Sequence, residues 1–283
     1  MRLQKTHYIR QDRFAELRDI LAEAGIDVTA RGTTAPGIHF PYPDRNVYDP
    51  PPADGIAVEG VHFVPDARPR VQTDALVRDV EALVSVVGEA KRQADLVIVG
   101  LHCHEGIQGR WNNEVPAEFM RPLAHTLIDA GAHGVVAHGP HMLRGVELYD
   151  GRPICYSLGN FIFNLEAISA FPLEVYEQQG MPLSSTSADL YDRVTGYAKE
   201  PRFWESIVAR FVYEDGALAA TELHPITLGP NEPRSRRGCP SLAAADDALR
   251  ILERLNSLSA PFGAKVDIER IGERYLGRIA SSG

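Results

Sequence analysis

The stretch that decides the fold is GVVAHGPHMLRGVELYDGRPICYSLGNF, residues 134–161. Its first five residues form a short apolar run of the kind that builds a buried parallel strand. His138 and His141 follow this run on either side of a Gly-Pro turn. The Asp-Gly pair at 150–151 then predicts a tight turn between two short strands, because both residue types tolerate the left-handed backbone that such hairpins need. The stretch therefore predicts a strand that ends in a histidine-bearing turn and is followed by a hairpin.

A second apolar run precedes this stretch. DLVIVGLH, residues 95–102, is continuous and rich in β-branched residues, and it predicts another buried parallel strand. Apolar residues recur with helical spacing at 73–94, where a Thr-Asp pair is expected to cap the helix, and at 116–131. This alternation over residues 72–138 indicates an α/β fold in which the two strands are parallel neighbours.

The remaining segments are more varied. We predict helices over 13–25 and 242–258 and a hairpin over 206–226 that turns at an Asp-Gly pair. Residues 31–71 are crowded with Pro, Gly and Asp, so we predict an inserted loop, with a lid over a site as the alternative; residues 165–203 predict a second long loop. The segment after Gly263 is only weakly patterned. The organisation that we predict is a single domain over 1–283.

The composition excludes several functional classes. The 283 residues carry a net charge of −9, which argues against broad nucleic-acid binding. Three scattered cysteines predict reduced thiols. No segment approaches the roughly 20 apolar residues of a membrane span, and the first residues lack the apolar core of a signal peptide. As written, the chain is therefore expected to be cytoplasmic.

Both apolar runs end in histidine. His102 and His104 close the first run, with Glu105 beside them, and His138 and His141 close the second. Ligands of open α/β sheets gather beyond the carboxyl ends of the strands, so we expect these side chains to converge there. Imidazole is the commonest metal ligand and titrates near neutral pH, so the cluster predicts a metal site or an acid–base site. The alternative is that these histidines only close strand ends through hydrogen bonds. Glu105 could be a ligand, a residue that orients a ligand, or a base.

Two further candidates follow the histidine turn. Arg144 could hold a phosphate or carboxylate group with two parallel hydrogen bonds, or it is a surface arginine of the hairpin. Asn160 ends the segment YSLGN and could line the floor of the site, or it serves ordinary turn chemistry. Both are candidates for substrate binding.

Together these motifs resemble the CapA family of bacterial poly-γ-glutamate capsule biosynthesis proteins, which have a calcineurin-like metallophosphatase fold. His102 matches the histidine-bearing strand end of the family pattern. AHGPH matches its histidine turn, with Ala137 where glycine is usual, and YSLGNF at 156–161 matches without change. The resemblance implies a metallophosphatase-like α/β/β/α sandwich, with His102, His138 and His141 as ligands of one or two divalent ions, either Mn, Fe or Zn.

The start of the family pattern has no counterpart in this chain. The family begins with a segment that carries a Gly-Asp motif and an Asn-His pair, and neither precedes residue 72. The resemblance therefore implies a C-terminal portion of the pattern and a fold that is incomplete at its N-terminus. Uncovered strand edges would favour a homo-oligomer. A chain with an additional upstream segment would be expected at the cell surface.

Three functions are compatible with this resemblance. The first is a metal-dependent hydrolase of capsule biosynthesis that acts on a peptide or polyglutamate-like anionic substrate. In that hypothesis His104 or Glu105 moves a proton, while Arg144 and Asn160 bind substrate. The second is a metal-dependent peptide epimerase that uses the same pocket. The third is a non-catalytic binding or scaffold component of capsule assembly.

Overall fold

The chain divides into two compact units, and each is described by itself. The computed structural model describes residue 1 and residues 3–26, 52–58, 61–164, 167–194 and 200–281. Both units mix helices and strands, so the predicted α/β class is confirmed. The α/β/β/α layering and the single domain stay predictions.

The first unit comprises Met1–Gln93, Glu105–Trp111 and Pro116–Gly131. Its strands are β1 (Leu3–Ile9), β2 (Ile56–Val58), β3 (Val61–Pro65) and β4 (Arg70–Ala75), and its helices are α1 (Gln11–Glu23), α2 (Val77–Lys91) and α3 (Met120–Asp129). The strands form one sheet in the order β2-β3-β1-β4, with β1 parallel to β3 and antiparallel to β4. Apolar side chains of α1 and β2 form a small core in this unit.

The second unit comprises Ala94–His104, Asn112–Val115 and Ala132–Gly283. One of its sheets has the order β5-β6-β8-β7, built from β5 (Ile98–His102), β6 (Gly134–His138), β7 (Val146–Tyr149) and β8 (Arg152–Cys155). The other has the order β11-β10-β13-β12 with β9 beside β10, built from β9 (Glu205–Glu214), β10 (Ala217–Thr227), β11 (Ser241–Leu242), β12 (Ala264–Ile271) and β13 (Arg274–Ser281). Three helices complete the unit: α4 (Leu173–Gln178), α5 (Ser187–Val194) and α6 (Ala245–Ser259).

The core of the second unit lies among both sheets and α6. Three leucine or isoleucine side chains of α6, Ile251, Leu252 and Leu255, are fully buried there. They pack with Val146 of β7 and Leu223 of β10. Burying such side chains contributes roughly 1.5–3 kcal/mol each, so this shared core fixes the sheet that carries the histidines.

The predicted strand pairings are confirmed. β5 runs parallel to β6, and β6 runs parallel to β8. β7 and β8 form an antiparallel hairpin, as do β9 and β10. Both hairpins turn at Asp-Gly pairs whose four residues have positive φ, the geometry that favours this dipeptide.

The expected burial of β5 is wrong. Ile98 is 46% exposed, and Gly100 and His102 are exposed as well. These residues alternate along the strand and so share one face of it, and β5 also lies at the end of the sheet order. An apolar run alone does not distinguish a central strand from an edge strand.

Both predicted loops contain regular structure, which corrects those assignments. Within 31–71 the chain forms β2, β3 and the start of β4, while residues 31–51 lie outside the described residues. Within 165–203 it forms α4 and α5, followed by a 3₁₀ helix at Pro201–Trp204. Loop composition is a poor guide here because these elements are short.

Two element boundaries also differ from the prediction. Thr73 and Asp74, the expected cap of the second helix, lie in β4, and α2 begins only after Leu76 without a side-chain cap. The weakly patterned segment after Gly263 forms the hairpin β12–β13. The other three predicted helices, α1, α3 and α6, lie where the sequence predicts them.

The three cysteines are free thiols, as expected. Cys103 and Cys155 are buried and Cys239 is exposed. Burial raises the pKa of the Cys155 thiol to about 12.

Candidate active site

Two histidines lie opposite each other at the carboxyl ends of β5 and β6. His102 and His138 are register partners in the parallel ladder, and both are exposed. Their Nδ1 atoms are 3.0 Å apart, and their ring centroids are 4.8 Å apart. We call His102 and His138 the outer pair.

The other two histidines lie next to the outer pair and are partly buried. The ring centroid of His104 lies 4.9 Å from that of His102 and 5.3 Å from that of His141. We call His104 and His141 the inner pair, and all four residues the histidine cluster. The imidazoles that the sequence places at two strand ends are therefore neighbours in space.

Gly139 lets the turn after β6 approach the chain between His102 and His104. Its φ is +130°, a conformation that L side chains rarely adopt. A Cβ atom at this position would lie 2.8 Å from the carbonyl oxygen of Cys103. The backbone N–H of Cys103 in turn donates to the carbonyl of His138 at 2.8 Å. Glycine is therefore required for the close contact that joins the two strand ends.

Asn160 contacts His141 at two points. Its Oδ1 lies 2.8 Å from His141 Nδ1, and its Nδ2 donates to the His141 carbonyl at 3.2 Å. The same Nδ2 donates to the carbonyl of Phe203 at 3.0 Å. The structure thus places Asn160 beside the predicted cluster, where its amide orients a histidine ring.

Asn112 makes the corresponding contacts with His104, and sequence reasoning missed it. Its Oδ1 lies 2.8 Å from His104 Nδ1, and its backbone N–H donates to the His104 carbonyl at 3.1 Å. Asn112 has a φ of +47°, in the left-handed region. The only signal in the sequence is an asparagine, a residue that tolerates this conformation, in the loop that follows a histidine-bearing strand end.

The segment that carries Asn112 is held by arginines. Arg254 of α6 donates to Glu114 through Nε at 3.0 Å, and Arg202 donates to Glu114 at 2.8 Å. Burial raises the pKa of Glu114, whereas the hydrogen bonds and charges of Arg254 and Arg202 lower it. Together the two arginines outweigh the burial, so the pKa of Glu114 lies below its ordinary value. Glu114 is therefore held as a carboxylate two residues from Asn112.

Arg144 has no exposed surface. Its Nε donates to the carbonyl of Asn113 at 2.8 Å, and its Nη2 donates to the carbonyl of His104 at 3.3 Å. Arg144 therefore supports the backbone of His104 and Asn113. The expected contact with substrate stays a prediction.

Glu105 belongs to the first unit, in contrast to the histidine cluster, which belongs to the second. It is partly buried, and its backbone forms an isolated bridge with Trp111. Its role as a base or ligand stays a prediction.

Two histidines of the cluster, His138 and His141, have a pKa below the ordinary value. Burial and then the neighbouring His102 and His104 lower the pKa of His138. Burial also lowers the pKa of His141; the hydrogen bond with Asn160 opposes this shift, whereas His104 and His102 add to it. Neutral imidazole is the form that binds metal ions and accepts protons.

The donor chemistry of the cluster fits a divalent transition metal ion. Imidazole nitrogen suits zinc and iron better than manganese. Two nitrogens bound to one tetrahedral zinc ion lie about 3.3 Å apart, close to the 3.0 Å between the Nδ1 atoms of the outer pair. Among the described residues, however, no group of three or more His, Cys, Asp and Glu side chains is arranged so that it could hold a metal ion. The outer pair therefore offers two donors, and a third would require a side-chain rearrangement or another ligand.

Comparison with known proteins finds a family that is similar to the part of the chain that carries this site. Residues 48–165, which include the histidine cluster and both asparagines, match the family described as bacterial capsule synthesis protein PGA_cap. Over these residues the chain is similar to this family. The predicted resemblance to the CapA proteins is thereby confirmed.

Two relatives named for capsule or PGA biosynthesis agree with this match. The chain is 40% identical over 92 residues to the PGA biosynthesis protein CapA of Bacillus subtilis, covering 31% of this chain and 22% of that protein. It is 35% identical over 97 residues to the capsule biosynthesis protein CapA of Bacillus anthracis, covering 33% and 22%. A longer match, 40% identical over 210 residues, is to the uncharacterized protein y4sH of Sinorhizobium fredii and covers 70% of this chain and 45% of that protein.

The matched part of the chain spans less than half the length of each of these relatives. In the portion that the structure describes, no helix has the length and apolar character needed to cross a membrane.

Proposed function

We propose that this protein acts in capsule biosynthesis as a metal-dependent hydrolase of a peptide or polyglutamate-like anionic substrate. The observation that carries the proposal is the convergence of four imidazoles at the carboxyl ends of two parallel strands. Such strand ends are where α/β proteins bind ligands. A metallophosphatase-like layered sandwich is the architecture that we propose for the complete fold.

In this proposal His102, His138 and His141 hold a divalent ion, with zinc or iron favoured by the imidazole donors. When bound, the ion would lower the pKa of a water molecule and stabilise negative charge on the substrate. His104 accepts a proton within the cluster, since its ring lies beside His102 and His141. Arg144 supports the backbone of His104, because its Nη2 donates to the His104 carbonyl.

A second candidate function is a non-catalytic component of capsule assembly. The observation that favours it is the absence, among the described residues, of a three-ligand group arranged for a metal ion. A scaffold would use the exposed outer pair only as polar surface.

Metal analysis of the purified chain separates these two functions. We would measure bound zinc, iron and manganese by mass spectrometry in the wild type and in His138→Ala and His141→Ala. The matched control is His224→Ala, which removes a histidine of β10 outside the cluster. Near-stoichiometric metal in the wild type and the control, with loss in both cluster variants, supports the metal site.

Hydrolysis is then tested with the metal-loaded chain. Release of shorter fragments from a poly-γ-glutamate chain, lost in His104→Gln, supports the hydrolase. Metal content far below one ion per chain, unchanged in the cluster variants, would overturn the metal-dependent proposal and favour the scaffold.

A further inference from the structure

The two histidines of the inner pair are held by the same pattern of contacts. In each case an asparagine Oδ1 lies 2.8 Å from the histidine Nδ1. In each case the same asparagine also donates to the carbonyl oxygen of that histidine, through the backbone N–H of Asn112 at 3.1 Å and through the side-chain Nδ2 of Asn160 at 3.2 Å. Two contacts to one residue fix both the ring and the backbone that carries it.

The orientation of the Asn160 amide follows from its other neighbours. Its nitrogen faces two carbonyl oxygens, those of His141 and Phe203, at 3.2 and 3.0 Å. A carbonyl oxygen only accepts hydrogen bonds, so the NH₂ group must be the end that points toward these two atoms. The oxygen of the amide therefore points toward the ring of His141.

An amide oxygen facing Nδ1 determines the state of the ring. Since Oδ1 can only accept, Nδ1 must carry the hydrogen of the neutral imidazole, and the lone pair then resides on Nε2. The partner of one ring nitrogen commonly sets the tautomer in this way. The outer pair differs, because its two Nδ1 atoms face each other at 3.0 Å.

We propose that Asn112 and Asn160 are paired positioning residues that hold His104 and His141 as Nδ1–H tautomers, with Nε2 as the nitrogen that accepts a proton or binds a ligand. The tautomers themselves are independent of the proposed function. Their use in proton transfer by His104 and ligand binding by His141 rests on it.

The backbone supports a specific role for both contacts. Asn112 and His141 each have positive φ, +47° and +60°. A non-glycine residue in this conformation is strained and persists where surrounding contacts determine it. Each pair therefore contains one residue whose backbone is held in a conformation that brings the amide oxygen and the ring together.

The test reads the tautomers directly. The full chain, labelled with ¹⁵N in its histidine rings, is examined by long-range ¹H–¹⁵N spectroscopy at a pH where the imidazoles are neutral. Resonances are assigned with His104→Gln and His141→Gln. We expect His104 and His141 to carry the hydrogen on Nδ1 in the wild type. Finding the hydrogen on Nε2 in either ring would overturn the proposal for that pair.

Variants then show whether the asparagines are the cause. Asn112→Gly keeps a residue that accepts positive φ but removes the amide, and it should shift His104 toward the Nε2–H form while His141 is unchanged. Asn112→Asp keeps an accepting oxygen and should restore Nδ1–H. Asn160→Ala should shift His141 and leave His104 unchanged.

A ring that keeps Nδ1–H after loss of its amide would overturn the positioning role. The outcome is independent of metal analysis, so both proposals can fail separately. Correct tautomers in a chain that binds no metal would refute the proposed function and leave this inference standing. Metal binding together with Nε2–H tautomers of His104 and His141 would refute this inference and leave the metal site of the proposed function standing.

Discussion

The inner and outer histidine pairs share one sheet edge but are held very differently. The outer pair is exposed, and its rings contact each other. The inner pair is partly buried, and each ring is fixed by an asparagine. A functional group held by its own supporting contacts is preorganised, whereas an exposed group adapts to whatever binds. Under the proposed function, we therefore expect the inner pair to set the geometry of the site and the outer pair to adjust to a ligand.

Removing the buried Arg144, which donates to the backbone of His104, is expected to cause the largest loss of stability. Arg144→Ala removes a fully buried side chain and leaves the Asn113 carbonyl without its Nε donor. We expect a loss of about 3 kcal/mol in the free energy of unfolding, from a cavity and an unsatisfied acceptor. Urea denaturation measures this loss.

The matched control for that change is Arg152→Ala, which breaks an exposed ion pair with Asp150. We expect this variant to stay within about 0.5 kcal/mol of the wild type. Equal losses in the two variants would contradict a supporting role for Arg144.

Breaking the contact between the strand ends is expected to be the next largest effect. Gly139→Ala forces a Cβ atom against the backbone of Cys103 and strains a positive φ. We expect a loss of about 2 kcal/mol in the free energy of unfolding. Gly151→Ala is the control, because Gly151 also has positive φ but a Cβ atom there meets nothing within 4 Å. The control should lose about 1 kcal/mol, from strain alone. An equal loss at both positions would show that close packing at Gly139 is unimportant.

The lowered pKa of His141 predicts how stability depends on pH. His141 has a pKa below its ordinary value of 6.5, so the unfolded chain binds its proton more readily than the folded chain. Its contribution to stability is therefore fully present above pH 6.5 and is lost as the pH falls below that value toward the folded pKa. Denaturation at about pH 7.5 and about pH 5.5 should show a smaller acid loss in His141→Gln than in the wild type. If both proteins lose the same stability between the two pH values, the pKa of His141 is not lowered by folding.

The outer pair is expected to give the smallest effect. His102→Gln changes an exposed ring at the end of an edge strand. We expect the free energy of unfolding to change by less than about 0.5 kcal/mol, as is usual for surface positions. A loss well above 1 kcal/mol would show that the outer pair is also structural, and the contrast between the pairs would disappear.

Sequence reasoning finds the histidine cluster because its signals are local. Apolar runs mark β5 and β6, and the histidines follow each run directly, so their convergence follows from parallel pairing. The hairpins are equally local, since an Asp-Gly pair encodes its own turn.

Other features are missed because buried positions carry polar residues or because the contacts join distant parts of the sequence. In β1 the buried residues are Gln4 and Thr6, so the strand shows no apolar alternation. The contacts of Asn112 depend on its left-handed backbone conformation, which no residue pattern predicts. The burial of Arg144 depends on carbonyl groups of two separate segments, and nothing near it in the sequence distinguishes it from a surface arginine.

The three thiols of this chain offer a practical route to the site. A maleimide dye should react with Cys239 alone, because the other two cysteines are buried and Cys155 stays protonated. The residue before it, Gly238, accepts a hydrogen bond from the backbone N–H of Phe163, whose ring lies 5.7 Å from that of His141. A fluorophore at Cys239 would therefore report ligand binding at the inner pair as a change in emission, without any engineered cysteine.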